Sequence, residues 1–132
     1  RAKYLRKLSG PLLDRFDIRL ELFRSDFLEG VSHSSSDMKA RVSAAIERQI
    51  KRNTKFDIKY NAQLSSSLLK EHFEFKAGLD SYFKERIEKR EVSGRGATAI
   101  WRVARTIADL DNSNDICEIH LSQAFDVREE II

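Results

Sequence analysis

In Phe16-Asp17-Ile18-Arg19-Leu20-Glu21-Leu22 the apolar residues fall on every second position, the pattern of a strand with one buried face. No other stretch constrains the fold as strongly, because a strand cannot stand alone. Its backbone N–H and C=O groups need neighbouring strands, and the rest of the 132 residues reads as helix and turn. The strand is therefore expected to belong to a sheet whose other members lie elsewhere, in a larger α/β protein of which this chain is a part.

Around that strand the periodicity is helical. The single proline, Pro11, stands in Ser9-Gly10-Pro11-Leu12-Leu13-Asp14-Arg15 and predicts one short turn of helix over 11–15. After the polar Ser32-His33-Ser34-Ser35-Ser36-Asp37, the spacing of Met38, Val42, Ala45, Ile46 and Ile50 predicts an amphipathic helix over 37–53 with that stripe inward. Asn61 is a candidate cap for a shorter helix carrying Leu64, Leu68 and Leu69. A third helix is expected over 75–91, with Leu79, Tyr82, Phe83 and Ile87 on one side. Ser93-Gly94-Arg95-Gly96 punctuates the chain, and a strong helix follows to about Leu110 with Ala99, Ile100, Val103, Ala104 and Ile107 inward. A turn over 111–115 leads to a last helix near His120 or Leu121. One strand followed by four or five helices with short loops gives a mainly α fold.

Charge and composition exclude more than they identify. Apolar residues make up 41% and charged ones 34%, ordinary for a folded domain, and no apolar run approaches a membrane span. One cysteine, Cys117, excludes an internal disulfide framework and a multi-cysteine metal site. With no leader pattern at the start, this favours the cytoplasm. A net charge of +3, spread over interleaved acids and bases such as Lys84, Glu85, Arg86, Glu88, Lys89, Arg90 and Glu91, does not argue for nucleic-acid binding.

Two arginine-bearing motifs stand out: Leu12-Leu13-Asp14-Arg15-Phe16-Asp17, and Ser93-Gly94-Arg95-Gly96 leading into Ile100-Trp101-Arg102-Val103-Ala104-Arg105-Thr106-Ile107-Ala108-Asp109-Leu110. Taken singly, each is ordinary. An arginine between two aspartates commonly makes local ion pairs, and one at a helix start is commonly solvated. Arg102 follows Arg95 by seven residues and so returns to within about 20° of its helix face.

In this order, however, the motifs resemble the magnesium-chelatase-like AAA+ ATPases, in the ComM/YifB competence-protein branch. The first is carried by Tyr4 to Asp17. The second, Ser-Gly-Arg-Gly followed by Arg-Val-Ala-Arg-Thr-Ile-Ala-Asp-Leu, is similar to the family's lid helix. Ser34-Ser35 with Arg41-Val42 and Gln49 fits its linking segment, and His120-Leu121-Ser122-Gln123-Ala124 fits its final helix. From Ala97 the chain reads Ala-Thr-Ala-Ile-Trp, where that branch carries more polar residues. The resemblance implies a helical-bundle lid domain of an AAA+ module over 32–132, preceded over 1–31 by the end of the α/β core with the arginine-finger strand. It implies that Arg15 is the arginine finger, reaching the neighbouring subunit's nucleotide. Arg95 becomes the sensor-2 arginine on ATP phosphate within its own subunit, with Arg102 a weaker candidate for that role or a salt-bridge residue. The parent would be a hexameric ring using ATP and Mg2+, with neighbouring subunits, the missing N-terminal core and possible DNA as partners. Its work would be DNA remodelling or branch migration, or in the chelatase branch metal insertion into a porphyrin.

This stretch itself contains no Gly-x-x-x-x-Gly-Lys-[Ser/Thr] loop and no acidic Walker B strand, so alone it is expected to bind no cofactor and hydrolyse nothing. The alternative is a free-standing helical adaptor that binds a protein or DNA partner, with both arginines in ordinary salt bridges. Other residues read as structural. His33, His72 and His120 lack metal-ligand spacing, Cys117 has no base near it in sequence, and Trp101 belongs to an apolar helix face. Lys51-Arg52-Asn53-Thr54-Lys55 is either a phosphate-contacting cluster or a solvated helix end.

Overall fold

The structure, a computed structural model, describes residues 10–20 and 34–128. Among them lie six α-helices: α1 Gly10–Leu13, α2 Ser35–Asn53, α3 Ser66–His72, α4 Leu79–Lys89, α5 Gly94–Leu110 and α6 Glu118–Asp126. Two 3₁₀ turns, Thr54–Phe56 and Asn61–Gln63, join α2 to α3. The mainly helical expectation holds. The caps follow from the sequence: the hydroxyls of Ser34, Ser65 and Ser93 accept the N–H of Asp37, Leu68 and Gly96. The cap of α3 is thus Ser65, and Asn61 serves elsewhere. At the other end of α5, Asn112 takes a left-handed conformation (φ 55°), so that the Ser113 N–H reaches the Ala108 carbonyl at 2.8 Å.

The strand expected at 16–22 does not form among the described residues. Residues 16–20 make no ladder, and Glu21 and Leu22 lie outside the described part. The reason is physical: residues 34–128 supply helices and turns and only one isolated bridge, Phe75 to Ile116, so nothing here can pair with a strand. The segment is tied instead to the end of α6, through the Arg19 N–H donating to the Val127 carbonyl at 2.6 Å. Phe16, Ile18 and Leu20 remain exposed.

α5 is the central element. Its alanines Ala99, Ala104 and Ala108 are almost fully buried and let α6 approach closely, where Leu121, Ala124 and Phe125 fill the gap. Phe75, Leu79 and Phe83 close this core from α4 and its approach. Trp101 stacks on Phe75 at 4.6 Å between ring centroids, meets Phe83 edge-on at 5.7 Å, and donates its indole N–H to the Phe73 carbonyl at 3.0 Å. It is a core residue, as its helix face suggested.

α2 departs from its expected orientation. Its buried positions are Ala45, Gln49 and Asn53, while Met38, Val42 and Ile46 face outward. A polar network explains the choice. Asp109, 1% exposed on α5, accepts Arg52 Nη1 at 2.6 Å, Arg52 Nη2 at 2.9 Å and the Asn61 amide at 2.9 Å. It also pairs with Arg105 at 3.1 Å. Gln49 accepts the Asn61 N–H at 3.0 Å, and Arg48 donates to the Asp109 carbonyl. Arg52 is therefore no solvated helix end. It is held inside the fold, and a buried carboxylate with two guanidiniums selects the face that α2 turns inward.

Candidate functional site

The two motif arginines meet at one cleft of about 650 Å3, lined on one side by Gly10, Pro11, Asp14, Arg15 and Arg19, and on the other by Arg90, Ser93, Arg95 and Arg128. Five arginines face Asp14 and Glu91 there, leaving a strongly positive lining. Arg15 stands two residues after the end of α1, where the turn closes with the Arg15 N–H on the Leu12 carbonyl at 3.1 Å. Arg95 occupies the first turn of α5, two residues after its cap. Both side chains are exposed, and no hydrogen bond or ion pair holds either among the described residues.

Around them the cleft is built tightly. The Ser93 hydroxyl donates to the Asp14 carboxylate (3.0 Å to Oδ1, 2.8 Å to Oδ2) while accepting the Gly96 N–H at 3.0 Å. Arg128, buried at the end of α6, donates Nη1 to the Phe16 carbonyl and Nη2 to both the Asp14 carbonyl and its Oδ1, each at 3.1 Å. Burial pushes the Arg128 guanidinium below the ordinary arginine value, and nearby Arg19 adds to this; Asp14 and Asp17 oppose it. The Nε of Arg19, another lining residue, is buried without a partner among the described residues.

The second glycine of Ser-Gly-Arg-Gly also has a reason. A Cβ on Gly96 would stand 2.7 Å from Val92 Cγ1, 3.3 Å from Ser93 Oγ and 3.4 Å from Arg128 Nη2, whereas one on Gly94 would meet nothing within 4 Å. Gly94→Ala is therefore expected to be neutral or to stabilise by up to about 1 kcal/mol. Gly96→Ala should cost about 1–3 kcal/mol through overpacking. Paired chemical denaturation curves check the contrast, and equal midpoints for the two variants would refute it.

Arg102 stands apart. It lines a neighbouring groove together with Arg95 and Lys70, and its Nε donates to the Leu64 carbonyl at 2.7 Å, holding the turn before α3. His72 sits on the surface beside Glu71 at 3.5 Å. His120 is buried, accepts the Cys117 N–H at 3.0 Å and approaches Asp111 at 2.9 Å, which places Cys117 at the start of α6. His33 lies outside the described residues. Among the described residues no three His, Cys, Asp or Glu gather as metal ligands, and no helix is long and apolar enough to cross a membrane. Sequence reasoning missed Arg19, Arg90 and Arg128 as cleft residues. Only Ser93, three positions before Gly96 at a helix start, carried a local signal.

A family model described as the C-terminal part of the magnesium chelatase subunit ChlI matches residues 32–128. The chain belongs to this family. Among curated proteins it is 35% identical to the uncharacterized protein YifB of Escherichia coli strain K12, over 96% of this chain and 25% of that protein. It is 33% identical to the uncharacterized protein Rv2897c of Mycobacterium tuberculosis, over 83% and 22%, and 29% identical to competence protein ComM of Haemophilus influenzae, over 96% and 25%. These relatives place it in the magnesium-chelatase-like ComM/YifB group. The chain spans about a quarter of the length of the relatives it matches.

Proposed function

We propose that this region supplies the arginine finger, Arg15, and the sensor-2 arginine, Arg95, to the ATP site of a ring-forming AAA+ ATPase that works in the cytoplasm. One observation carries the reading: the arginines of two motifs 80 residues apart line a single cleft, exposed and, among the described residues, without partners. The lining suits a polyphosphate. Five guanidiniums face two carboxylates, one of which is already held by Ser93 and Arg128, and the buried Arg19 Nε–H lacks an acceptor among the described residues. Asp14 is taken up by Ser93 and Arg128 and Glu91 alone makes no ligand set, so the Mg2+ ligands would come from the rest of the parent. ATP, when bound, supplies the phosphoryl group to be transferred. Arg15 places positive charge against its outer oxygens, and Arg95 reads the phosphates from the lid helix. The shared cleft favours both acting on the same nucleotide, a departure from the division between neighbouring and own nucleotide that the resemblance implies.

Within the ComM-like branch, hydrolysis in a hexameric homo-oligomer would drive DNA remodelling; metal insertion by a chelatase is the variant of the same reading. The exposed stripe Met38, Val42 and Ile46 favours a second reading, a helical adaptor docking on a partner protein. Arg95→Ala in the full-length protein decides between them. Loss of a charge-assisted contact to phosphate should weaken nucleotide affinity by about tenfold or more, measured by titration with a fluorescent ATP analogue. Unchanged affinity and unchanged turnover would leave the adaptor reading standing.

A further inference from the structure

Arg128 belongs to neither arginine motif and is exposed over only 4% of its side chain, yet it touches both halves of the cleft. One guanidinium takes three acceptors on the segment that carries Arg15: the Phe16 carbonyl, the Asp14 carbonyl and the Asp14 carboxylate. That carboxylate in turn accepts the Ser93 hydroxyl, which caps the helix that carries Arg95. The chain of bonds therefore runs Arg128 to Asp14 to Ser93 to the Gly96 N–H, and flanks each exposed arginine closely. Asp14 immediately precedes Arg15, and Ser93 stands two residues before Arg95. A second tether, the Arg19 N–H on the Val127 carbonyl, fixes the same segment to the same end of α6. Gly96 lies beside Arg128, where a Cβ would stand 3.4 Å from Arg128 Nη2.

We infer that Arg128 is a positioning residue: through Asp14 and Ser93 it sets Arg15 relative to Arg95, so that the two guanidiniums meet one polyphosphate as a pair. The inference rests on the nucleotide reading proposed above. Only a planar fork can serve the Phe16 carbonyl and Asp14 together, so lysine at this position keeps the charge and loses the geometry. The connection also ties the end of α6 to the cleft, so a movement of α6 against α5 would shift Arg15 relative to Arg95.

The test uses the full-length protein and compares Arg128→Ala, Arg128→Lys, Arg15→Ala and the double variant Arg15→Ala/Arg128→Ala by ATP turnover, KM and thermal melting. Misplacing Arg15 by about an ångström should lower kcat by about 10²-fold in Arg128→Ala. In the Arg15→Ala background the same change should add less than about a twofold further loss, because the residue it positions is gone. Arg128→Lys should recover little of the turnover even where it restores the melting temperature. If Arg128→Ala does not fold, Ser93→Gly carries the test. Glycine retains most of the capping preference while removing the hydroxyl from Asp14, and its loss of kcat should likewise vanish in the Arg15→Ala background. Losses that multiply independently with Arg15→Ala, or a fall in melting temperature with kcat intact, would reduce Arg128 to a structural tie and overturn the inference. Arg15→Ala with parental turnover would instead refute the nucleotide reading itself.

Discussion

Arg15→Ala in the full-length protein is expected to lower ATP turnover by about 10³- to 10⁵-fold, the range that a guanidinium contributes when it offsets charge on a transferred phosphoryl group. The effect should fall on kcat, because charge on the outer oxygens develops as the bond breaks and the arginine strengthens its contact at that moment. Nucleotide affinity should change little, since Arg95 and the rest of the parent's phosphate site remain. Arg15→Lys is the informative companion: a compact ammonium keeps the charge and lacks the fork, so it should recover only a small part of the rate. Because Arg15 is exposed and unpaired among the described residues, neither change should lower the melting temperature. Single-turnover kinetics with a separate binding titration distinguish the outcomes. A parental rate would remove the finger assignment, and an equal loss in affinity and rate would mean that Arg15 binds rather than catalyses.

What the sequence disclosed and what it withheld divide along physical lines. The serine caps at Ser34 and Ser93, the long helix of Ala99 to Ile107 and the short turn at Pro11 were legible because each depends on nearby residues. The position of Arg15 and Arg95 on one cleft was not, since it depends on Arg128, 113 residues beyond Arg15 and in no recognisable pattern. α2 shows the limit most clearly. Its apolar stripe read as the inner face, but Gln49, Asn53 and Arg52 turn inward because Asp109, more than fifty residues later, offers a buried carboxylate. Periodicity finds amphipathic faces and cannot tell a core face from an exposed one; Met38, Val42 and Ile46 form one of the second kind in this structure. The alternation at 16–20 is a similar case, since the pattern calls for a sheet and the described chain provides no partner.

Asp109→Ala should be the most destabilising single change in the helical body. The carboxylate is 1% exposed and compensates two guanidiniums, Arg52 through two hydrogen bonds and Arg105 at 3.1 Å, while also accepting from Asn61. Burial already pushes the Arg105 guanidinium below the ordinary arginine value, and Asp109 is the chief influence that raises it again. Without that carboxylate, Arg105 remains enclosed with the carbonyls of Ser113 and Asn114 and the charge of Asp115, and faces Arg52 as a like charge. Removing one partner of such a buried pair costs about 3–5 kcal/mol, a large part of a domain's total stability. Asp109→Asn keeps the shape and one acceptor, so it separates the charge from the hydrogen bonds and should lie between parent and alanine. The damage should also be local in kind. α2 is held to α5 largely through this network, so hydrogen exchange should show α2 losing protection first while the Phe83, Trp101 and Phe125 core persists. Arg52→Met and Arg105→Met combined with Asp109→Leu replace all three charges by apolar volume and should recover part of the loss, because the network's desolvation cost disappears with its partners. An alanine variant with a parental unfolding midpoint would mean that water enters the site and solvates the arginines, and that α2 is held by its packing alone.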